Sequence, residues 1–194
     1  MSDMLKAIQI AVGTTPDGIF GPKTEAAIAQ KLNVFPALLQ SKIRSGNTVF
    51  GKPGDESYLV NVPVPEGYPL KYEGKPVSTV RVHYLIASKV QAILQDTINH
   101  YGTDIATVAP GLCVYSGSYN NRSVSNGSKK SMHAWGLALD FDAEANAYAF
   151  DHTKARLARP EYQAFWEIVA SHGAFSLGKH ADCDWMHFQF AAFD

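Results

Sequence analysis

The sequence has little of what marks nucleic-acid-binding, membrane or disulfide-rich proteins. Its 194 residues include 17 Lys and Arg against 18 Asp and Glu, a net charge of −1, so there is no basic excess to bind nucleic acid. The two cysteines, Cys113 and Cys183, lie far apart without paired spacing, which argues against a disulfide framework. Long internal repeats, coiled-coil heptads and low-complexity tracts are also missing.

Long hydrophobic runs are missing as well. The apolar runs near the N-terminus are short and are interrupted by Lys6, Gln9 and the turn at residues 14–17. The sequence therefore predicts neither a secretory signal peptide nor a membrane span. If the target of the protein lies outside the cytoplasm, another component must deliver it.

The composition, with 46% hydrophobic residues, is sufficient for one sizeable core and a small appendage. Residues 1–33 are predicted to form a short helical unit, with two helices around a turn at residues 16–18. Residues 34–78 are rich in Pro and Gly and are predicted to be a connecting segment with extended pieces. Residues 79–194 are predicted to form the main domain.

The main domain is predicted to mix helices with short strands. Apolar residues at helical spacing between Leu85 and Ile98 predict a helix that stops at Gly102, and a second helix is predicted from Pro160 to just before Gly173. The sequence also predicts a hairpin turn at residues 73–76. The predicted strands of this domain are Thr79–His83, Leu112–Ser116, Leu137–Asp142 and Trp185–Phe190. The extended pieces predicted in the connecting segment are Tyr58–Val62 and a stretch around Leu70–Tyr72. This order predicts the α+β class, with a small antiparallel sheet flanked by helices.

A possible metal site is indicated by residues 131–140, Ser-Met-His-Ala-Trp-Gly-Leu-Ala-Leu-Asp, which contain an imidazole and a carboxylate. On a straight strand His133 and Asp140 would be separated by roughly 23 Å. They can share a metal ion only if the chain bends between them, and Gly136 permits such a bend. Strand alternation leaves Asp140 and Asp142 as alternative ligands.

A second histidine with an unusual position lies in residues 184–190. Met186, Phe188 and Phe190 form an apolar face there, and His187 is predicted to face the opposite way. A polar side chain on a half-buried strand requires a partner.

Together these segments fit the pattern Ser-x-His-x-x-Gly-x-Ala-x-Asp followed by Asp-x-x-His. Over roughly residues 80–190 the chain resembles the zinc peptidase family that contains D-alanyl-D-alanine carboxypeptidases and dipeptidases and the phage L-alanyl-D-glutamate endopeptidases. The resemblance implies that His133, Asp140 and His187 hold one zinc ion per chain. It also implies that Asp184 is the catalytic base.

Other residues are assigned to the substrate by the same resemblance. Arg122 resembles the family's arginine that steadies the substrate carbonyl or carboxylate, and Ser131 is expected to contact substrate. Trp135 is expected to line the cleft. Gln189 is interpreted as part of the strand scaffold, and Asp142 as a neighbour of the metal rather than a ligand.

The position of Asp184 relative to His187 requires a departure from strand geometry. Residues three apart on an ideal strand face opposite sides of the sheet. We therefore expect Asp184 in a turn just before the strand. Four of the remaining histidines are interpreted as structural or surface residues: His83, His100, His152 and His172. His180 is interpreted as a solvated loop residue, with a contact to a metal ligand or to substrate as the alternative.

The N-terminal unit contains a second family pattern. Residues 17–28 resemble the helical peptidoglycan-binding repeat, whose hallmark is Asp-Gly-x-Phe-Gly-x-x-Thr followed by a helix of small residues. Gly18 and Gly21 allow a tight turn, Phe20 is expected to fill the small core, and Pro22 is expected to start the last helix. A packing appendage without a ligand is the alternative.

Both resemblances imply peptidoglycan as the target. The sequence therefore predicts a peptidoglycan hydrolase that cleaves the stem peptide at the L-alanyl-D-glutamate bond, as a bacteriophage endolysin that is made in the host cytoplasm and acts on the wall after release. The expected partners are the stem peptide and the glycan, without nucleic acid or a membrane span, and a monomer is expected. The alternatives are a D-alanyl-D-alanine carboxypeptidase and a non-catalytic wall-binding or virion structural protein with a structural zinc.

Overall fold

The computed structural model describes residues 2–19, Thr24, Ile28, 42–43, 50–124 and 129–193. The α-helices with described bounds are α1 Ser2–Ala11, α2 Ala87–Tyr101, α3 Ile105–Val108, α4 Gln163–Ser171 and α5 Leu177–Ala181. The strands are β1 Lys42–Ile43, β2 Leu59–Pro63, β3 Lys71–Tyr72, β4 Lys75–Pro76, β5 Thr79–His83, β6 Tyr115–Gly117, β7 Ala138–Phe141, β8 Phe175–Ser176, β9 His187–Gln189 and β10 Ala192–Phe193. Short 3₁₀ turns connect many of them. The predicted α+β class with small antiparallel sheets is confirmed.

The central sheet has four antiparallel strands in the order β6-β7-β9-β8. In its middle pair Leu139 lies opposite Phe188, and Asp140 lies opposite His187. Residues directly opposite each other point to the same face of a sheet. One face therefore carries buried apolar side chains, and the other carries the two polar residues.

The apolar face of the sheet packs against α4, and α4 packs against α2. The ring of Phe165 on α4 lies 5.7 Å from the ring of Phe141 and 6.0 Å from that of Phe188. All three side chains are buried. Complete burial of such a side chain contributes about 1.5–3 kcal/mol. As predicted, α2 ends before Gly102, whose φ of 64° and ψ of −158° are readily adopted by glycine but seldom by other residues.

Residues 50–83 add a β-ribbon and a hairpin to the same core. Strand β2 pairs with β5, and β3 pairs with β4 across a turn in which Glu73 and Gly74 have φ of 48° and 77°. The predicted hairpin turn is thus confirmed. Phe50, Val62 and Leu70 belong to the core cluster that also contains the helices and the central sheet. The core therefore draws on both sides of the division predicted between residues 78 and 79.

Two predicted strands begin at least two residues later than expected. Residues Pro110–Cys113 form a 3₁₀ turn instead of the start of a strand, because the proline occupies a first helical position and Leu112 N donates to Ala109 O at 3.0 Å. The strand begins only at Tyr115. In the predicted strand Trp185–Phe190, Trp185 lies in a turn, and the observed strand begins at His187.

The described part of the N-terminal unit is organised around one glutamine. Gln9 on α1 is buried; its amide nitrogen donates to Asp17 Oδ1 at 2.7 Å and to Thr24 Oγ1 at 3.0 Å. Its amide oxygen accepts a hydrogen bond from Gly18 N at 2.8 Å. Gly18 has a φ of 75°, so a tight turn does form there.

The second helix predicted for this unit is described at two positions, Thr24 and Ile28, and both are helical. Phe20, Gly21 and Pro22, on which the prediction of a filled small core depends, lie outside the described residues. In the part of the chain that the structure describes, no helix combines the length and apolar character needed to cross a membrane.

Candidate metal centre

A 3₁₀ turn and a pair of neighbouring strands bring the three predicted ligands together. Asp140 and His187 are neighbours across the β7–β9 pair. His133 lies in the 3₁₀ turn Met132–Trp135, and the left-handed Gly136, with φ of 68°, ends this turn and leads into β7. The predicted bend at this glycine is confirmed. A Cβ atom at this position would lie 2.7 Å from a methyl carbon of Leu59 and 3.0 Å from the backbone nitrogen of His83, so a side chain would also be crowded there.

The potential ligand atoms are close enough to share one ion. His133 Nε2 is 3.2 Å from His187 Nδ1, and Asp140 places one carboxylate oxygen 2.8 Å from His187 Nδ1 and the other 3.1 Å from His133 Nε2. Ligand atoms about 2.0–2.1 Å from one tetrahedral zinc ion are roughly 3.3 Å apart. Within the described residues this is the group of three His, Cys, Asp or Glu side chains that could hold a metal ion.

Each imidazole makes a hydrogen bond on the side away from the other candidate ligands, and this bond leaves the nitrogen that faces them as an acceptor. His133 Nδ1 contacts Ser118 O at 3.0 Å, and a carbonyl can only accept, so Nδ1 carries the proton. Gln189 donates through its amide nitrogen to Ala191 O at 2.7 Å, which directs its oxygen at His187 Nε2, 2.8 Å away. In the neutral imidazoles, the nitrogens that face each other are therefore unprotonated. Outer partners of this kind orient metal-binding histidines.

The charges in the cluster favour a bound cation. Burial disfavours charge on Asp140, but its contacts with His133 and His187 outweigh this and hold the pKa of the Asp140 carboxyl well below its ordinary value. Burial also disfavours charge on His187, yet the hydrogen bond to the Asp140 carboxylate raises the pKa of this imidazole. Two acceptor nitrogens and a carboxylate thus surround a point that attracts positive charge, either a proton or a metal ion.

The alternative ligand Asp142 lies elsewhere. Its φ of 52° takes the backbone out of strand geometry directly after β7, so the alternation that would place it beside Asp140 is broken. Its carboxylate is 3.2 Å from Arg156 Nη1 and accepts a hydrogen bond from Asn146 Nδ2 at 3.3 Å. Burial raises its pKa. Of the two aspartates, the structure brings only Asp140 to the histidines.

Asp184 lies in a turn directly before β9, as expected. Its carbonyl accepts from His187 N at 3.0 Å, and its own N–H donates to Tyr148 O at 2.9 Å. Burial raises the pKa of the Asp184 carboxyl, while the charges of His187 and Arg122 act in the opposite direction. The carboxyl therefore lies in the electrostatic field of the metal centre, and its raised pKa suits a group that accepts and returns protons.

The three residues assigned to substrate have different environments. Arg122 is exposed on the loop before the 3₁₀ turn, and its charge reaches Asp184. Ser131 is buried and caps the 3₁₀ turn, where its hydroxyl accepts from His133 N at 3.3 Å. Trp135 is 6% exposed, and its indole donates to Gly51 O at 3.0 Å. The Ser131 hydroxyl thus supports the turn that carries His133, and Trp135 packs in the core. Their contacts with substrate stay predictions.

Two partners of the ligands have roles that the sequence pattern does not indicate. Gln189, interpreted as strand scaffold, orients His187, and its position two residues after a candidate ligand on the same strand face is the one available signal. The backbone carbonyl of Ser118 orients His133, and no sequence signal marks a carbonyl.

Comparison of the chain with protein-family models, with curated proteins and with solved structures finds no match. The family resemblance therefore remains a prediction from the motifs, and the chemistry has to be inferred from the site.

Proposed function

We propose that this protein is a zinc-dependent peptidoglycan peptidase that cleaves the stem peptide at the L-alanyl-D-glutamate bond, as a bacteriophage endolysin. The observation that carries the proposal is the convergence of His133 Nε2, His187 Nδ1 and the Asp140 carboxylate, with both imidazoles oriented as acceptors. Two imidazoles and one carboxylate are a set of ligands typical of catalytic zinc.

The proposed roles follow from the position of each side chain. His133, Asp140 and His187 would hold the ion, which supplies Lewis acidity to a carbonyl and acidifies water when bound. Asp184 would take the proton of the attacking water and pass it to the leaving amine, since its pKa is raised by burial. Arg122, exposed and electrostatically coupled to Asp184, would steady the carbonyl or a carboxylate of the substrate.

The composition of the site favours catalysis over a purely structural role. A structural zinc site is closed by a fourth protein ligand, and the described residues provide a group of three. Asp184 supplies a further carboxylate close by, which a structural site does not need. This is the specific argument against a wall-binding or virion protein with structural zinc.

The scissile bond is the part of the proposal that depends most on the resemblance. Incubation of the zinc-loaded protein with purified peptidoglycan, followed by mass spectrometry of the products, tests it directly. We expect new D-glutamyl N-termini. Release of free D-alanine would indicate the carboxypeptidase instead, and undigested wall would contradict both peptidase assignments.

The N-terminal unit would attach the enzyme to the wall. Its contribution rests on the motif and on the turn built around Gln9, which holds Asp17 and Thr24 of the motif together. Pull-down on insoluble peptidoglycan with and without residues 1–33 measures the contribution, with hydrolysis of small soluble muropeptides as the control for an intact active site.

A further inference from the structure

The backbone around Asp184 is held in a conformation that non-glycine residues seldom adopt. Asp182 and Asp184 have φ of 50° and 55°, with Cys183 between them. Left-handed residues of this kind persist where neighbouring contacts determine the conformation, and they concentrate at functional sites. The contacts that hold this segment are therefore of interest for the proposed base.

A neighbouring loop supplies most of these contacts. Tyr148 O accepts a hydrogen bond from Asp184 N at 2.9 Å. The Asp182 carboxylate receives two contacts from His152: one oxygen accepts from the backbone N–H at 2.7 Å, and the other lies 2.7 Å from Nδ1. Asp182 and Asp184 are thus fixed to the same loop, on the two sides of Cys183.

This loop is itself well anchored. The Asp151 carboxylate accepts from the backbone N–H of Thr153 at 3.0 Å and from its hydroxyl at 2.6 Å, and Asp151 O accepts from Ala155 N at 2.9 Å. Ala155 and Leu157, which follow directly, are buried in the core. The loop can therefore act as a rigid support for residues 182–184, which are hydrogen-bonded to it.

On the other side of Asp184 the chain is fixed by Trp185. Its indole N–H donates to Asp182 Oδ1 at 3.1 Å, and its buried ring lies 6.3 Å from the ring of Trp166. A Cβ atom on Gly178 would overlap the Trp185 ring, so α5 packs closely on it. The Asp182 carboxylate thus joins the loop, through His152, to the core, through Trp185.

We propose that His152 is a positioning residue for Asp184, because it holds through Asp182 the turn that carries Asp184 directly before His187 on β9. The inference deepens the proposed function and rests on it for its catalytic consequence. The hydrogen bond and charge of Asp182, with a smaller contribution from Asp151, raise the pKa of His152, because both favour the protonated imidazole.

Substitution of the histidine separates positioning from bulk stability. Even a small displacement of a catalytic group slows turnover strongly. We therefore expect His152→Ala to lower kcat about 10–100-fold. KM, zinc content and Tm should stay close to those of the wild-type protein. His152→Asn keeps a donor where Nδ1 was, because the Asn amide nitrogen takes that position, and it should restore kcat to within about threefold of wild type.

The chain offers a matched control. His172 Nε2 lies 2.7 Å from Asp96 Oδ2, a histidine–aspartate pair of the same length that joins the residue after α4 to α2 and includes no residue of the Asp184 turn. His172→Ala removes this pair and should leave kcat unchanged. Loss of kcat in both alanine variants would mean that the effect is general, and it would overturn the proposal.

Hydrogen exchange of the Asp184 amide in metal-free protein gives a readout that does not depend on activity. His152→Ala should speed this exchange about tenfold, since the amide is protected by its bond to Tyr148 O. His152→Asn and His172→Ala should not. Unchanged exchange or unchanged kcat in His152→Ala would overturn the proposal, as would an asparagine variant as defective as the alanine variant.

Failure of the two proposals can be told apart. If zinc-loaded wild-type protein cleaves no wall peptide, the proposed function fails, and the exchange measurement alone decides whether His152 holds the turn. If His152→Ala does not fold, kcat and hydrogen exchange of the Asp184 amide are measured for Asp182→Asn instead. This substitution replaces one of the two acceptor oxygens by a donor.

Discussion

Histidines are buried in two different ways in this protein. His83, at the end of β5, stacks on Tyr84 with ring centroids 4.9 Å apart; its Nδ1 accepts from Leu85 N at 3.2 Å and its Nε2 lies 3.3 Å from Phe50 O. No carboxylate contributes to its pKa, which burial lowers to about 4. His187, which is also buried, has the Asp140 carboxylate against one nitrogen, and its pKa is raised.

The difference shows that burial alone does not make a metal site. Burial together with two satisfied nitrogens favours a neutral histidine that fills space in the core, as His83 does. Burial with one nitrogen satisfied and the other facing Asp140 yields a site that attracts positive charge. The hydrogen-bond partner of the second nitrogen is therefore what distinguishes the two.

The largest effects are expected from the aspartates around the metal centre. Asp184→Asn keeps the size of the side chain but removes its basicity, so turnover should fall about 10²–10⁴-fold while zinc is retained. Asp140→Asn weakens a ligand, so zinc affinity and turnover should fall together. Zinc analysis and turbidity assays on purified walls, run side by side, measure both variants.

Asp142→Asn is the matched control for these substitutions. Asp142 lies two residues after Asp140 but contacts Arg156 and Asn146 instead of the histidines, so zinc content and turnover should both be kept. If Asp184→Asn lyses walls at the wild-type rate, or loses zinc while Asp140→Asn keeps it, the roles assigned to the two are wrong.

The core histidine should make stability depend on pH in the acid range. His83 is neutral in the fold and has a pKa of about 4, against 6.5 ordinarily. Its contribution is thus fully present above pH 6.5 and is lost as the pH falls towards 4, because the unfolded chain then binds a proton that the folded chain does not. At pH 4.5 the loss should be about 2–3 kcal/mol in the free energy of unfolding.

Urea unfolding of metal-free wild-type protein and His83→Gln between pH 7.5 and 4.5 measures this loss. The difference between the two proteins isolates His83, because the groups of the metal centre titrate in both. A difference that does not change with pH would contradict a neutral core histidine.

A somewhat smaller effect is expected for the outer partner of a ligand. Gln189→Leu leaves His187 Nε2 without its acceptor, so either nitrogen can carry the proton, and zinc affinity should fall about 10–100-fold. The same substitution at Gln95, an exposed residue of α2, is the control. Equal zinc affinity in wild type and Gln189→Leu would show that the acceptor state of His187 does not depend on this bond.

The features that the sequence predicted correctly depend on local rules. Strand β5 was predicted with its observed bounds, Thr79–His83, and the turn at residues 73–76 and the bend at Gly136 require conformations that glycine favours. The turn at Asp184 was expected because the resemblance places Asp184 beside His187, and a strand would direct residues three apart to opposite faces. Each of these can be inferred from a few consecutive residues.

The features that it did not predict depend on contacts between distant segments. Spacing alone left Asp140 and Asp142 as alternatives, and the left-handed backbone at Asp142 that separates them is held by tertiary contacts such as Asp142 N to Val114 O at 2.7 Å. His152 lies 30 residues from Asp182, so no local pattern marks their pairing. Ser118 acts through its backbone, which has no sequence signature.

The central claim is that His133, Asp140 and His187 form a zinc site, and metal analysis of protein purified without chelator tests it most directly. We expect about one zinc per chain in the wild-type protein and almost none in His187→Ala. His83→Gln, which changes the other kind of buried histidine, should keep its zinc. Wild-type protein without zinc that takes up none on titration, or His187→Ala with its full zinc content, would contradict the assignment.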